Sequence, residues 1–209
     1  MKIARYPSGL SLAEYLAIEQ ELVKTVQENT LFTWIAPPTV IYGRHQSAEA
    51  ELNEAFCREH GIAVVQRKSG GGCVYADRGN LMISYISPDT HSEQVFARYL
   101  QMVAEMLQSA GLQAVTTSHN DILIDGRKVS GCACFTGPTG TIVHGTLLYN
   151  VDIETMMAAI TPSSQKLTKH GVASVRQRVV NIRELTDRFE TIEDLQSYVT
   201  AHLGARKDD

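Results

Sequence analysis

The sequence of 209 residues predicts an α+β fold, with a mixed and mostly antiparallel sheet flanked by helices. Two observations support this prediction. Helix-like and strand-like segments alternate irregularly, and strand-like segments follow one another from Leu112 to Asn150. A doubly wound parallel sheet would need crossover helices in that stretch, and none is readable there. The length suits one core, because single domains extend to roughly 250 residues.

In the first half of the chain, each element has a local signal. Ser11-x-x-Glu14 has the pattern of a capping box, and the apolar residues that follow at helical spacing predict a helix to about residue 28. Gly61 is the expected stop of a second helix at about residues 49–59. β-Branched and aromatic residues predict strands at residues 31–35, 39–42, 62–65 and 80–86.

The second half continues with a long helix. Thr90-x-x-Glu93 predicts a capping box for a helix that extends to about Ala110. A tight hairpin turn is predicted at Asp125-Gly126. Short helices are then predicted at about residues 152–160, 181–187 and 192–203, the last opened by a Thr191-x-x-Asp194 capping box, with a frayed tail at residues 205–209.

Composition and charge exclude several classes of protein. The net charge of −4 argues against general nucleic-acid binding. No run approaches the ~18 apolar residues needed to cross a bilayer, and the first residues lack an apolar signal-peptide core. We therefore expect a cytoplasmic protein without a membrane partner. Four cysteines, at positions 57, 73, 132 and 134, are too few for a disulfide framework and fit reduced thiols.

Three consecutive glycines, Gly70, Gly71 and Gly72, follow one of the predicted strands. They match neither Gly-x-x-x-x-Gly-Lys-Ser/Thr nor Gly-x-Gly-x-x-Gly, the two commonest nucleotide-binding motifs. The glycines alone fit a flexible turn as well as a ligand-binding loop. Arg67 and Ser69 favour a ligand-binding loop, because a fixed cation and a hydroxyl beside exposed backbone amides can form an anion site.

The predicted hairpin brings a lysine and a carboxylate together. Pairing outward from the turn sets Leu123 opposite Lys128 and Asp121 opposite Ser130. Strand alternation then predicts one shared face for Asp121, Leu123, Lys128, Ser130 and Cys132. A diagonal separation of roughly 7 Å lets Lys128 reach the carboxylate of Asp121 or a ligand beside it. A surface ion pair and a ligand-binding site both fit this arrangement.

Two other side chains fit structural roles when taken alone. A single histidine in an apolar strand, such as His144, is more often structural than catalytic. Cys73 follows the glycines, but the sequence identifies no partner base for a cysteine nucleophile, so a small wall residue is the simpler interpretation.

Several ordered motifs accompany the glycines and the hairpin. They include His119-Asn120-Asp121, Arg127-Lys128-Val129-Ser130-Gly131 and His144-Gly145, and the full set occupies residues 38–46, 67–80, 119–121, 127–131, 144–148 and 175–182. This pattern resembles the lipoate–protein ligase family, within the biotin/lipoate protein ligase superfamily. The resemblance implies a biotin/lipoate ligase-like catalytic domain at residues 1–204.

The resemblance also implies a two-step reaction. Lipoate and ATP, with Mg²⁺, form enzyme-bound lipoyl-AMP, and the lipoyl group then moves to a lysine of a lipoyl domain of a 2-oxoacid dehydrogenase complex or of the glycine cleavage H protein. Lys128 is the expected catalytic group, and Asp121 is an expected contact of the metal that accompanies ATP. The residues expected to bind lipoyl-AMP are Arg67, Ser69, Gly70, Gly71, Gly72, Cys73, Val74, Tyr75, Asn120, Asp121, Lys128 and His144.

Departures from the family pattern leave alternatives open. Gln66 stands where many members have a second arginine, and the usual small C-terminal accessory domain is not expected here, so a separate accessory subunit would supply it. An ATP-independent octanoyl or lipoyl transferase and a non-catalytic acyl-carrier-binding module are the alternatives. Related transferases use a cysteine just before the positions of Asn120 or His144. Residues 115–118 and 139–143 contain no cysteine, so Cys132 is the remaining candidate nucleophile for the transferase alternative.

Overall fold

The computed structural model describes residues 1–117, 120–161 and 178–206. His119 and residues 175–177 of the sequence motifs, and residues 207–209 of the predicted tail, lie outside these ranges. The strands are β1 Lys2–Ile3, β2 Thr30–Ile35, β3 Thr39–Tyr42, β4 Ala63–Gln66, β5 Val74–Ala76, β6 Asn80–Ser87, β7 Ala114–Thr116, β8 Asp121–Ile124, β9 Arg127–Gly137 and β10 Gly140–Leu148. The helices are α1 Leu12–Leu22, α2 Ala48–Glu51, α3 Glu54–Glu59, α4 Ser92–Ser109, α5 Ile153–Ala159 and α6 Ile192–Gly204.

The strands of the described ranges form two sheets. The main sheet has the order β1-β2-β6-β10-β9-β8-β7, in which β1 and β2 are parallel and the other pairs are antiparallel. The smaller sheet has the order β4-β3-β5, with β3 parallel to β4 and antiparallel to β5. The predicted α+β class with a mixed, mostly antiparallel sheet is confirmed.

The central strand β6 shows how the layers assemble. Its side chains alternate between two hydrophobic clusters, so both of its faces are buried. Leu81 and Tyr85 pack toward the cluster that includes α4 and α6, whereas Met82 and Ile86 pack toward the cluster that includes α1. A third cluster joins the smaller sheet to α3 and α5. The main sheet is therefore a middle layer, with helices on both sides.

Local hydrogen bonds decide where the helices begin and end. The capping boxes at Ser11 and Thr191 are confirmed. The predicted box at Thr90 is wrong: α4 begins at Ser92, and Asp89 accepts the backbone N–H of His91 at 2.9 Å, an Asx-type turn that replaces the expected cap. Helix α1 ends at Leu22 and not near residue 28, because tighter turn bonds follow, such as the 3.1 Å bond from Thr25 N to the Leu22 carbonyl.

Two other predicted helices differ in extent. The helix expected at about residues 49–59 is divided into α2 and α3, because Leu52 is extended and Asn53 caps α3 through a 3.1 Å bond from Phe56 N. The helix expected at residues 181–187 is only a 3₁₀ turn, Ile182–Glu184. Within the described ranges, no helix combines the length and apolarity that crossing a membrane requires.

Candidate active site

The hairpin of β8 and β9 turns at Asp125-Gly126, as predicted. Both turn residues have positive φ, 50° and 73°, which a tight two-residue hairpin needs. The pairing of Leu123 with Lys128 is confirmed. A β-bulge then changes the register, so Asp121 lies opposite Gly131, and the predicted pairing of Asp121 with Ser130 is wrong.

The bulge also corrects the predicted faces of β9. Ser130 and Cys132 do not share the face of Lys128, because both are buried and Cys132 belongs to the cluster on the α4 side. Gly131 lies under the lysine instead: a Cβ built there would be 2.9 Å from Lys128 Nζ. At Lys128, β9 also pairs with the segment that contains Arg178, because Lys128 N donates to the Arg178 carbonyl at 2.8 Å. That second pairing accompanies the local departure from regular β8–β9 register.

Lys128 and Asp121 form an ion pair, with 2.6 Å between Nζ and Oδ1. Their side chains are 37% and 29% exposed, so solvent reaches both. Asn120 anchors the start of β8 to β9, because its amide donates to the Cys132 carbonyl at 2.9 Å. The contact predicted between Lys128 and Asp121 is therefore present. The catalytic, nucleotide-binding and metal-binding roles of these residues stay predictions.

The glycine loop, residues 67–73, is organised by the buried side chain of Arg67. Its guanidinium donates to the carbonyls of Ile41 at 3.2 Å, Gly70 at 2.8 Å and Gly72 at 2.7 Å. These partners are neutral, so the contacts leave the charge of Arg67 unneutralised. Burial lowers the pKa of Arg67, but an arginine remains protonated at neutral pH. The expected contact of Arg67 with a phosphate stays a prediction.

Two glycines make this loop conformation possible. Gly71 has φ +93°, and a Cβ there would lie 2.9 Å from Arg67 Nη2. Gly43, just after β3, lies directly against the Gly71 carbonyl, where any Cβ would clash with the carbonyl oxygen. By contrast, Gly70 is exposed, has ordinary φ and has open space around its Cβ position. Within the run, Gly71 therefore has a strict requirement for glycine that Gly70 and Gly72 lack, and the sequence does not reveal this difference.

A cavity lies between the glycine loop, α1 and the main sheet. Its apolar lining includes Leu12 and Leu16 of α1, Trp34 of β2 and Met82 of β6. Because β10 and β9 follow β6 in the sheet, the cavity extends from these residues past His144 to Lys128. We call the part near Trp34 the apolar end and the part near Lys128 the cationic end. Cys73 and Val74 also line the cavity.

His144 contacts both the cavity and a buried network of hydrogen bonds. Its Nε2 is 2.8 Å from Ser69 Oγ, and its Nδ1 is 3.1 Å from Glu19 Oε2. Ser84 donates to Glu19 Oε1 at 2.5 Å, and Trp34 Nε1 donates to Ser84 at 2.9 Å. The sequence predicted Ser69 and His144 as site residues but missed the other three. Glu19 carried a detectable signal, because it is an acidic residue on the otherwise apolar face of α1.

Four predicted site residues, Ser69, Gly70, Tyr75 and Asp121, do not line the cavity. Ser69 and Asp121 contact lining residues, His144 and Lys128 respectively. Tyr75 is buried in the cluster between the smaller sheet, α3 and α5, and burial raises the pKa of its phenol. Gly70 faces solvent. Their contacts with a ligand stay predictions. In the part of the chain that the structure describes, no group of three or more His, Cys, Asp or Glu side chains is arranged to hold a metal ion.

The two cysteines nearest the hairpin and the glycine loop are poorly suited to act as nucleophiles. Burial raises the pKa of the Cys73 thiol to about 11, with a further contribution from Glu51. Burial raises the pKa of Cys132 to about 12. Because the thiolate is the reactive form, both groups are almost entirely protonated at neutral pH.

The sequence and the fold agree with a known class of protein. The family model for the lipoyl protein ligase A/B catalytic domain matches residues 11–204. The chain belongs to this family, so the expected membership is confirmed. Lipoate-protein ligase LplJ of Bacillus subtilis (strain 168) is 36% identical over 196 residues, which cover 92% of this chain and 59% of that protein. The chain thus spans about three fifths of that relative's length.

Solved structures show the same fold. A bipartite lipoate protein ligase from Thermoplasma acidophilum, described together with its E2 lipoyl domain, has a TM-score of 0.85 at 23% identity and covers 99% of this chain and 86% of that chain. A crystal structure of lipoate-protein ligase A bound with ATP has a TM-score of 0.83 at 22% identity and covers 99% of this chain and 87% of that chain. The expected ligase-like fold is confirmed.

Proposed function

We propose that residues 1–204 form the catalytic domain of a lipoate–protein ligase, which makes lipoyl-AMP from lipoate and ATP and transfers the lipoyl group to an acceptor lysine. The observation that carries this proposal is the cavity with an apolar end and a lysine at its other end. An acyl chain against Leu12, Leu16 and Trp34 would gain about 25 cal/mol per Å² of apolar surface removed from water. Its carboxylate would then lie toward Lys128.

Lys128 suits the first chemical step. A carboxylate oxygen of lipoate attacks the α-phosphorus of ATP, the bond from that phosphorus to the bridging oxygen of the β-phosphate breaks, and pyrophosphate leaves. Both reactants are anions, so a positioned ammonium offsets their repulsion and stabilises the charge that develops on the phosphate. Asp121, 2.6 Å from Lys128 Nζ, orients that ammonium.

The glycine loop suits the phosphate. Gly71 and Gly72 line the cavity and have no side chains that would block the approach of a phosphate to backbone amides. Arg67 adds a positive charge whose hydrogen-bond partners are neutral carbonyls. Mg²⁺ is usually held by phosphate oxygens and one or two carboxylates, so the metal that accompanies ATP would take one protein ligand from Asp121. A lipoate-protein ligase A of the same fold, which binds ATP, supports this use of the cavity.

In the second step, the amine of an acceptor lysine attacks the acyl carbonyl. The bond between the acyl carbon and the AMP oxygen breaks, and the nitrogen loses a proton as the amide forms. We propose lipoyl domains of 2-oxoacid dehydrogenase complexes and the glycine cleavage H protein as acceptors, in the cytoplasm. The bipartite relative described with an E2 lipoyl domain supports both such an acceptor and a separate accessory subunit.

The cysteines argue against the alternative of an ATP-independent octanoyl or lipoyl transferase. That reaction, as related transferases perform it, needs a thiolate to hold the acyl group. Cys132 has a pKa of about 12 and is buried on the α4 side of β9. The third possibility is an acyl-carrier-binding module without turnover. It does not explain why a lysine paired with Asp121 lines the cavity.

One experiment separates the three functions. The protein is incubated with an acceptor lipoyl domain in four mixtures: lipoate with Mg²⁺ and ATP, the same without ATP, octanoyl carrier protein without ATP, and acceptor alone. Intact mass spectrometry measures acyl transfer, and chromatography measures AMP. We expect the lipoyl adduct and AMP only when ATP is present.

Each other result favours a different function. An octanoyl adduct without ATP would indicate a transferase. Acceptor binding without any adduct would indicate a binding module, unless purified accessory subunit restores the reaction. Lipoyl-AMP supplied directly distinguishes a failure of lipoate activation from a failure of transfer, because transfer alone needs no ATP.

A further inference from the structure

Five side chains from separate parts of the chain form a continuous hydrogen-bonded path. It extends from Trp34 on β2 through Ser84 on β6, Glu19 on α1 and His144 on β10 to Ser69 in the glycine loop. Four of these residues are at most 2% exposed, and the His144 side chain is 13% exposed. We call this path the buried network. A buried polar group has lost its hydrogen bonds to water. Removing its protein partner would therefore lower the stability of the fold.

The chemistry of the groups fixes the direction of the hydrogen bonds. Trp34 Nε1 can only donate, so Ser84 Oγ accepts from it and directs its own hydrogen to Glu19. As a carboxylate, Glu19 accepts at both oxygens, and its second oxygen takes the hydrogen of His144 Nδ1. His144 Nε2 lies 2.8 Å from Ser69 Oγ, and in a neutral ring with its hydrogen on Nδ1 the Nε2 lone pair accepts from the Ser69 hydroxyl. The network therefore requires a hydrogen on Nδ1 of His144, facing the Glu19 carboxylate.

Ser69 connects this network to the glycine loop. Its carbonyl accepts the backbone N–H of Arg44 at 3.1 Å, and it lies between Arg67 and Gly70. Arg67 holds the loop from within, through the carbonyls of Gly70 and Gly72. The Ser69 hydroxyl holds it from the side of α1. His144 also lines the cavity, together with Leu16. The His144 side chain therefore contacts both the glycine loop and the cavity proposed to hold the acyl chain.

We infer that Glu19 and Ser69 are positioning residues, which act through the Nδ1–H tautomer of His144 to hold the glycine loop in the conformation that receives ATP. The inference rests on the proposed function for its catalytic consequence, but not for the tautomer. Glu19 contacts no reacting atom in this arrangement. Its effect reaches the phosphate site through two hydrogen bonds and the backbone of the loop.

Glu19→Gln tests the inference. The glutamine amide can still accept from Ser84, but its NH₂ group then faces His144 Nδ1, which must become the acceptor. The hydrogen moves to Nε2, and the Ser69 hydroxyl must change from donor to acceptor in its bond with His144. In ¹⁵N-histidine-labelled protein, the two ring-nitrogen shifts of His144 should exchange their pyrrole-like and pyridine-like positions. Glu21→Gln is the matched control, because Glu21 is exposed on the same helix and pairs only locally with Lys24.

The kinetic readout separates positioning of the loop from binding of the acyl chain. For lipoyl-AMP formation, kcat should fall about tenfold in Glu19→Gln, as expected for one misdirected hydrogen bond, while the KM for lipoate changes less than about twofold. Ser69→Ala should lower kcat similarly but retain the Nδ1–H tautomer. Because both variants interrupt one path, the double variant should lose no more than about the larger single loss.

Hydrogen exchange at the amides of residues 70–73 measures the loop without any substrate, and it should accelerate in both single variants but not in Glu21→Gln. A wild-type His144 with its hydrogen on Nε2 would overturn the inference, as would unchanged loop exchange and kcat in a folded Ser69→Ala protein. If the wild type makes no lipoyl-AMP while the tautomer and exchange behave as expected, the proposed function fails and the positioning network stands. Should Glu19→Gln not fold, Ser69→Ala and the wild-type tautomer still decide the question.

Discussion

The two ends of the cavity are held in opposite ways. At the cationic end, the Lys128–Asp121 pair is about one third exposed, and exposed ion pairs contribute only ~0–1 kcal/mol to stability. At the apolar end, the network from Trp34 to Ser69 is almost fully removed from water. The two ends therefore differ in exposure as they differ in proposed role. The charged groups proposed to contact the substrate are accessible to solvent, whereas the groups that hold the backbone in place are buried. Changes at the cationic end should therefore affect chemistry more than stability.

The largest expected effect is that of Lys128→Ala. Removing the ammonium takes away the cation proposed to lie beside both the reacting carboxylate and the phosphate, so lipoyl-AMP formation should fall by about a thousandfold. The free energy of unfolding should change by no more than ~1 kcal/mol, because the pair is partly exposed. Single-turnover measurement of AMP formation and urea denaturation give the two values.

Lys24→Ala is the matched control, since Lys24 is an exposed lysine that pairs with Glu21 on α1. Adenylate formation at the wild-type rate in Lys128→Ala would remove Lys128 from the catalytic role.

Asp121→Asn should have an intermediate effect on adenylate formation, a loss of about tenfold, because the ammonium of Lys128 remains but loses the charge that orients it.

Gly71→Ala should have a smaller effect on activity and a larger one on stability. Alanine is strained at φ +93°, and its Cβ would lie 2.9 Å from the Arg67 guanidinium. We expect unfolding to become easier by ~1–3 kcal/mol and lipoyl-AMP formation to slow about tenfold, because the loop is displaced. Chemical denaturation and the AMP assay measure these changes.

Gly70→Ala provides the comparison for stability, because that position has ordinary φ and open space. Its free energy of unfolding should stay within about 1 kcal/mol of the wild-type value. Equal destabilisation by the two substitutions would mean that alanine is tolerated equally at positions 70 and 71. That result would contradict the positive φ of Gly71 and its close contact with Arg67.

The smallest expected effect concerns Cys73, beside the loop. With a pKa of about 11, its thiolate fraction rises about tenfold for each pH unit between pH 7 and 9. Alkylation by iodoacetamide, followed by peptide mass spectrometry, should therefore be slow at pH 7 and should accelerate without a plateau up to pH 9. Glutathione provides a reference thiol with ordinary reactivity. A plateau near pH 8 would indicate a reactive thiolate and would reopen the transferase interpretation.

Sequence patterns predicted the parts of the site that depend on short-range signals. The Asp125-Gly126 turn and the contact between Lys128 and Asp121 follow from residues within ten positions of one another. The bulge between them was not predictable, because it coincides with a second pairing of Lys128 with the segment at Arg178 and Val180. The division of the helix expected at residues 49–59 likewise depends on a distant contact, the bond from Asn53 N to the Ala159 carbonyl.

By itself, the sequence determined the α+β class, most element positions, the hairpin and the family, because capping residues, turn residues and apolar periodicity act over a few residues. Only the tertiary structure decided what Arg67 and His144 contact. Arg67 turns inward because the carbonyls of Ile41, Gly70 and Gly72 converge on it. The buried network joins positions 19, 34, 69, 84 and 144, which no local pattern relates. Buried polar groups must find partners wherever the fold brings them, so these contacts follow from packing and not from spacing along the chain.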